Sequence, residues 1–256
     1  MTTPTDPRAD HTQAPFTDSG TVKLLVGPKS SPFTVHEELI RSRAAFFDAA
    51  LKKCWTEGRS GQVMMPEDEP DIIRLYVQYL YTSKIYLERT TTSANLKSSD
   101  NLPEYIVLAK AYVFGEQIQD AEFKNSVVNA IVARASEIID GKHWYPITTA
   151  VDTIYKGTTT GSLGRQLMVE VHVLRGGANF ISDDQEMNNK DFLADLARAM
   201  LRAARQVQIA AGPFPGLSSI IDARKYHEKV EVTSERRMDL RSMDGVDGEG
   251  NTMENH

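Results

Sequence analysis

Apolar and polar positions alternate in the first patterned stretch of the chain. In the sequence TVKLLVG, Val22, Leu24 and Val26 share one face of an extended chain, which is the period of a half-buried strand. Gly27 and Pro28, followed by KSS, predict a turn, and PFTV predicts a second strand. We therefore expect a β-hairpin at the start of the fold.

After His36 the apolar positions change to helical spacing. Two consecutive short helices are predicted, and Ser42 is placed to cap the second of them. The apolar positions of this stretch are the neighbouring pairs Leu39 and Ile40, Phe46 and Phe47, Ala50 and Leu51, and Cys54 and Trp55.

A brief strand and a long apolar helix follow. The strand is predicted at residues 62–65 and ends at Pro66, and both of its methionines are interpreted as core. An acidic turn containing Asp68 then places Pro70 at the first position of a helix. That helix, PDIIRLYVQYLYTS, is apolar on nearly every side, as expected for a helix buried at the centre of a domain.

Two further helices are predicted beyond a polar insert at residues 88–101. The first begins at Pro103 and stops at Gly115, a residue suited to the left-handed cap position. The second runs from about Gln119 to Ile139. Its apolar stripe consists of Phe123, Val127, Val128, Ile131 and Ala135. This order of elements predicts an α+β fold, with a small mixed β-sheet flanked by a cluster of α-helices.

The same residues resemble the BTB domain, also called POZ, in its fungal form. The family pattern has an aliphatic-x-His before a leucine-bearing helix, a serine followed by two aromatic residues, an aromatic-x-Glu, "L-pe-D-p", and an apolar helix ending in YLYTG. Here the positions are filled by His36, Leu39, Ser42, Phe46, Phe47, Trp55, Glu57, Pro66, Asp68, Pro70 and YLYTS. The resemblance covers about residues 22–139 and implies a BTB/POZ domain at 21–140. The sequence departs from the pattern at Ser83, usually glycine, at Trp55, where phenylalanine is commoner, and in its polar insert.

The C-terminal half is predicted to be a helical extension at residues 141–212, which also resembles fungal BTB proteins. A short helix, the loop GTTTGSLG and a helix near LGRQLMVEVHVL are expected first. The last helix, NKDFLADLARAMLRAARQ, has an apolar stripe of Phe192, Leu193, Leu196, Met200 and Leu201, with Arg198, Arg202 and Arg205 on its outer side. Residues 1–20 and 213–256 bury little and are expected to be a disordered arm and a disordered tail.

Composition and charge narrow the classes of partner. The chain has 256 residues, of which 41% are hydrophobic and 25% charged, as in ordinary globular proteins. A net charge of −6 provides no positive field for phosphate backbones or anionic lipids, so direct nucleic-acid and membrane binding are not expected. A single cysteine, Cys54, is typical of a reducing compartment. Without a targeting pattern or a long apolar run, a cytoplasmic or nuclear protein is predicted.

The reactive side chains do not form a catalytic or metal-binding pattern. His36 is interpreted as a structural histidine bonded to the backbone, and the apolar register of Cys54 predicts burial. His143 and His172 lie far apart without the spacing of metal ligands. The loop at residues 157–164 lacks the Gly-Lys-Ser/Thr ending of a phosphate loop. We therefore expect no enzymatic activity, no cofactor and no metal.

The resemblance implies a protein–protein interaction module. BTB domains commonly self-associate, as in homodimers, and some are substrate adaptors of cullin-RING ubiquitin ligases. In cullin-binding members a hydrophobic-x-Glu motif follows the second of the paired helices, where this chain has Trp55 and Glu57. An apolar anchor beside a hydrogen-bond acceptor suits such a contact. Two alternatives stay open: that Trp55 closes the domain core, and that the protein is a nuclear transcription-regulatory scaffold acting through recruited partners.

Overall fold

The fold is seen in a computed structural model that describes residues 19–52, 55–88, 103–139, 141–146, 148–176, 189–209 and 222–230. The strands of this part are β1 Thr21–Val26, β2 Ser31–His36, β3 Gln62–Met65, β4 Ile138–Ile139 and β5 Lys142–His143. Its helices are α1 Glu37–Arg43, α2 Ala45–Ala50, α3 Thr56–Ser60, α4 Pro70–Thr82, α5 Pro103–Ile118, α6 Ala121–Ser136, α7 Thr148–Gly157, α8 Leu163–Arg175 and α9 Lys190–Ile209, followed by a 3₁₀ turn at Ala223–Tyr226. The architecture is α+β, as predicted. Cys54, residues 1–18 of the predicted arm and all of the predicted insert except Glu88 lie outside the described residues.

A small mixed sheet lies at the N-terminal end of the fold. β1 pairs antiparallel with β2 and parallel with β3, in the order β2-β1-β3. Val22, Leu24 and Val26 are buried on its inner face, as their alternation predicted. Met65 is buried but Met64 is 56% exposed. The interpretation of both methionines as core is therefore wrong for Met64, because neighbouring strand residues point to opposite faces.

The N-terminus of α1 is held by the residues that precede the sheet. The Glu38 backbone N–H donates to Ser19 Oγ at 3.1 Å, and the Glu37 N–H donates to the Gly20 carbonyl at 2.8 Å. These bonds satisfy donors that have no partner inside the helix. The prediction of a disordered arm through residue 20 is therefore wrong for Ser19 and Gly20.

Ser42 does not cap the second helix, contrary to the prediction. It lies inside α1, where its hydroxyl donates to the Leu39 carbonyl at 2.9 Å. The N-cap of α2 is Ala44, an extended residue whose side chain makes no capping bond. Ala44 is fully buried, so packing rather than a cap fixes the break between the helices. Phe47 of α2 is buried as well, whereas Phe46 is 40% exposed.

α4 begins at Pro70, as predicted, and packs under the sheet. It is less apolar on its outer side than predicted, because Arg74 and Gln78 are exposed. Ser83 ends the helix with φ of 53°, in the left-handed region that favours glycine. The buried Tyr76 hydroxyl donates to Asp120 at 2.9 Å, and burial raises its pKa. This bond ties α4 to the start of α6.

α5 continues past the predicted stop at Gly115. It ends at Ile118, and the chain turns at Gln119, which has φ of 59°. Gly115 lies inside the helix because α6 passes close to it: a Cβ there would come 2.7 Å from Lys124 Cγ. The glycine therefore serves helix packing and not helix termination.

α6 ends at Ser136, before the predicted end at Ile139. Ile138 and Ile139 instead form β4, which pairs with β5 in a two-stranded sheet. A short antiparallel ladder thus gives these backbone groups partners outside the helix. The five residues of the predicted apolar stripe are all buried: Phe123, Val127, Val128, Ile131 and Ala135.

α7 and α8 pack directly on α5 and share its core, and α9 packs on α7 and α8. Gly157 of α7 and Gly164 of α8 allow close approach, since added Cβ atoms would lie 2.5 Å from Val113 Cγ2 and from Tyr112 Cε1 respectively. Buried side chains form one cluster that extends from Val22 in β1 to the C-terminal helices. The whole described chain is therefore built around one hydrophobic core.

The last described segment corrects the prediction of a disordered tail. Residues 222–230 lie against α6 and α8, and Tyr226 is 4% exposed. The prediction for residues 213–256 is wrong for this segment, because its contacts are to residues about 100 positions earlier. Local composition does not show such contacts. The rest of the predicted tail lies outside the described residues.

Candidate protein-interaction site

Trp55 is exposed at the N-terminus of α3. Its indole is 59% exposed, and its backbone N–H donates to the Lys52 carbonyl at 2.9 Å. The alternative in which Trp55 closes the core is therefore wrong. The physical reason is that α3 has five residues and buries none of them, so this segment lies over the surface.

Gly58 fixes the position of α3 against the end of α2. A Cβ at this residue would come 2.7 Å from the Leu51 carbonyl oxygen and closer still to that of Lys52. Leu51 is 1% exposed and anchors the end of α2 in the core. Only glycine permits this approach of two backbone segments. Trp55 and Glu57 are therefore presented from a turn with little room to shift.

Glu57 lies two residues beyond Trp55, in the first turn of α3. Its side chain is half-buried, and within the described residues the carboxylate makes no hydrogen bond or ion pair. A carboxylate at a helix N-terminus is stabilised by the helix dipole. The N-terminus of α3 thus combines a large apolar side chain, Trp55, with the Glu57 carboxylate, whose oxygens are available to accept hydrogen bonds.

His36 joins the sheet to α4. Its Nδ1 lies 2.8 Å from the Tyr81 hydroxyl oxygen, which also accepts a hydrogen bond from the His36 backbone N–H at 3.1 Å. This contact of the imidazole is with a tyrosine side chain, and the bond of His36 to the backbone stays a prediction. This pair of contacts ties the end of β2 to the last turn of α4.

The other residues of the predicted signature are spread through the first part of the fold. Leu39 and Phe47 belong to the core, and Asp68 lies in the turn before Pro70. Burial raises the pKa of the Asp68 carboxyl, and the neighbouring negative charge of Glu67 adds to the shift. These residues shape the domain and do not converge on one pocket.

His172 is buried among aromatic rings. Its Nδ1 lies 2.7 Å from the Met168 carbonyl oxygen, and the Tyr145 and Phe192 rings meet it edge to face. Burial lowers the pKa of His172 to about 4, in spite of the hydrogen bond to Met168. Throughout the described ranges, no cluster of three His, Cys, Asp or Glu side chains is placed to hold a metal ion.

The loop GTTTGSLG connects α7 to α8, as predicted. Its following residue, Arg165, donates to the carbonyl oxygens of Tyr155 and Thr158 at the end of α7. The guanidinium therefore satisfies carbonyl groups that the last helical turn leaves without partners. This arrangement makes the arginine a helix cap.

A groove of about 710 Å³ lies between α8 and α9. Its apolar lining includes Val169, Val173 and Ala199, and Arg198 and Arg202 lie at its rim. In α9 the first half of the predicted stripe packs as expected, with Phe192 and Leu196 buried. The second half does not, since Met200 is 41% and Leu201 72% exposed. The side chain of Arg205 lies outside the described residues.

The contact surface that holds residues 222–230 is not predicted from the sequence. The available signals were Asn125 and Asn129, a polar pair one turn apart on α6, and Tyr226 within a charged stretch.

No helix of the described part is long and apolar enough to cross a membrane. No protein-family model matches the chain, and no curated protein matches it. The function of this chain is therefore inferred from its own residues and their placement.

Proposed function

We propose that this chain is a non-catalytic protein–protein interaction module of the BTB/POZ type, which acts as an adaptor by binding the N-terminal region of a cullin. The observation that carries the proposal is the exposed indole of Trp55, held on a turn that Gly58 keeps tight. A tryptophan brings a large apolar area to an interface, and such residues dominate binding energy when a partner covers them.

Glu57 supplies the polar half of the contact. Its carboxylate lies two residues from the indole and makes no hydrogen bond or ion pair to another described residue. A partner can therefore donate hydrogen bonds to it without first breaking an internal ion pair. A large apolar side chain contributes affinity, and a hydrogen-bond acceptor beside it fixes the orientation of the partner.

Self-association is the second part of the proposal. The outer face of the main sheet carries a row formed by Leu25, Pro32 and Met64, which the strand register places side by side. Pro32 and Met64 are exposed and Leu25 is half-buried. A homodimer that covers this row should weaken in Met64→Lys, and sedimentation velocity should then show monomer where the wild type shows dimer.

The cullin contact is tested by titrating the full chain with a purified cullin N-terminal region in a calorimeter. We expect wild-type binding in the micromolar range or tighter. Glu57→Ala should weaken it by more than about 1 kcal/mol, and Trp55→Ala by about 2 kcal/mol or more. Leu201→Ala is the matched control, since this side chain is also exposed but lies on α9.

Two results would count against the proposal. If the wild type fails to bind at high micromolar concentration, the cullin contact is ruled out and the general interaction role remains. If the wild type binds but Trp55→Ala and Glu57→Ala bind equally well, the partner uses another surface.

A further inference from the structure

Residues 222–230 are bound to the fold as a short peptide would be. Asp222 caps the 3₁₀ turn by accepting from the Arg224 N–H at 3.1 Å, and the chain is extended at His227. The segment lies on the surface formed by α6 and α8, which we call the α6–α8 surface. It forms no β-ladder with the rest of the described chain. Side chains of the surface therefore hold it.

The first contact recognises the peptide backbone. The Asn125 side-chain Nδ2 donates to the Glu228 carbonyl at 3.0 Å, and its Oδ1 accepts from the Glu228 N–H at 2.7 Å. One amide side chain thus satisfies both backbone groups of one residue. Asn129, one turn further along α6, places its Oδ1 2.9 Å from Nε2 of His227. The Asn125 amide therefore binds the backbone of an extended segment, and the choice of side chain is left to other contacts of the surface.

The second contact recognises side chains. The Tyr226 ring is 4% exposed, and its buried hydroxyl has no hydrogen-bond partner within the described residues. The surface therefore selects an aromatic ring and gains nothing from the hydroxyl. One position before it, Lys225 lies 3.8 Å from Glu170 of α8.

An acidic side chain is recognised two residues after the ring. Lys124 Nζ lies 3.2 Å from Glu228 Oε1 and 2.6 Å from Glu116 Oε2, and its side chain is only 8% exposed. Burial lowers the pKa of Lys124, but the bonds to Glu116 and Glu228 outweigh burial and the pKa is raised. A buried cation between two carboxylates favours an acidic residue in the segment.

We propose that the α6–α8 surface is a peptide-recognition site for extended segments with the order basic, aromatic, hydrogen-bonding, acidic, and that residues 222–230 occupy it as an internal ligand. A partner protein that carries this order binds by displacing them. The internal ligand is about 100 residues away from Asn125 in sequence. It contacts the surface through the Tyr226 ring, the Asn125 clamp, the Asn129–His227 hydrogen bond and two ion pairs. This site is separate from Trp55 and Glu57 and goes beyond the adaptor proposal.

The binding test uses the full chain with the internal ligand disabled by Tyr226→Ser and Glu228→Ser. A fluorescent synthetic peptide of residues 222–230 is titrated and followed by anisotropy. We expect the double variant to bind the peptide at micromolar concentrations. The wild type should bind it about 10-fold more weakly or worse, because a tethered segment competes at a millimolar effective concentration.

Matched variants separate recognition from non-specific association. Adding Asn125→Ala to the double variant should reduce peptide affinity about 10-fold. A peptide with phenylalanine in place of Tyr226 should bind as well or better, whereas serine at the Glu228 position should weaken binding. Equal peptide binding by wild type and double variant, or no effect of Asn125→Ala, would overturn the proposal.

A measurement on the unaltered protein covers the case in which the double variant does not fold. The Glu228 N–H, which donates to Asn125, should exchange with solvent at least about 100-fold faster than core amides of α5 such as Leu108. Protection of Glu228 equal to that of Leu108 would mean that the segment opens only with global unfolding. The proposal of a displaceable ligand would then be wrong.

Discussion

The two parts of this molecule are held together in different ways. Between residues 21 and 139, nearly every element buries a continuous apolar stripe, so the sheet and its helices are fixed by many similar contacts. Beyond residue 141, α7, α8 and α9 also bury apolar residues, and close contacts at particular positions are added: Gly157 of α7 and Gly164 of α8 against α5, Arg165 at the end of α7, and Asn125 on residues 222–230. Both parts therefore draw stability from many buried residues, and the second depends in addition on the close approach of two glycines to α5.

This difference predicts where substitutions are most damaging. A core side chain in the first part is surrounded on every side, and its truncation leaves a cavity. A close contact in the second part fails through crowding instead, because there is no space for an added methyl group.

The largest effect is expected for Phe47→Ala. Phe47 is fully buried and packs against the Phe46 and Tyr76 rings. Its truncation should lower the free energy of unfolding by about 3 to 5 kcal/mol, measured by urea denaturation. Phe46→Ala is the neighbouring control and should cost about 1 kcal/mol, since Phe46 is 40% exposed. Equal losses of unfolding free energy for the two variants would contradict the finding that Phe47 is buried and Phe46 is partly exposed.

Gly164→Ala should have the next largest effect. An added Cβ would lie 2.5 Å from Tyr112 Cε1, and the Tyr112 hydroxyl is held in place by the Gly164 N–H at 3.0 Å. Crowding of this kind costs about 1 to 3 kcal/mol, which should appear as a lower melting temperature. Gly20→Ala is the control, because nothing lies within 4 Å of its added Cβ. A fully stable Gly164→Ala would show that α8 is not packed tightly on α5.

The same contrast explains how much of the fold the sequence predicts. The bounds of β3 and the start of α4 at Pro70 are confirmed, because alternation and a proline at the first helical turn are local signals. The burial of Val22, Leu24 and Val26 is confirmed for the same reason. Where burial follows from a continuous stripe, the pattern of residues is sufficient.

The failures share a different origin. The position of Gly115 predicts a helix stop, yet this glycine lies inside α5 and gives room to Lys124 of α6. The docking of residues 222–230 depends on Asn125, about 100 positions away. Of the candidate site, the sequence indicated Trp55 and Glu57 but not their exposure. That depends on how Gly58 folds α3 back over α2, a contact between backbones that no hydropathy pattern contains.

A pH dependence should come from His172 in the second part. Its pKa is lowered from 6.5 to about 4 by burial, so the unfolded chain binds a proton more tightly than the folded one. The contribution of His172 to the free energy of unfolding is therefore fully present above about pH 6.5, and it is lost as the pH falls toward 4. Between pH 8 and pH 5 the loss should be about 2 kcal/mol.

Denaturant titrations at several pH values measure this dependence, with His172→Gln as the comparison. The glutamine variant should be less stable at pH 8 but should lack this part of the acid-dependent loss. If both proteins lose the same amount between pH 8 and pH 5, His172 is solvated in the folded state and the burial seen here is wrong.

The smallest effect on stability is expected at Trp55, the largest exposed aromatic side chain of the first part. Its indole is 59% exposed, so Trp55→Ala should change the free energy of unfolding by no more than about 0.5 kcal/mol. Differential scanning calorimetry should therefore give a melting temperature within about 2 °C of wild type. Set beside Phe47→Ala, this result would separate a surface aromatic residue from a core one within the same short stretch of sequence. A loss as large as that of Phe47→Ala would place the indole in the core and remove the anchor on which the adaptor proposal depends.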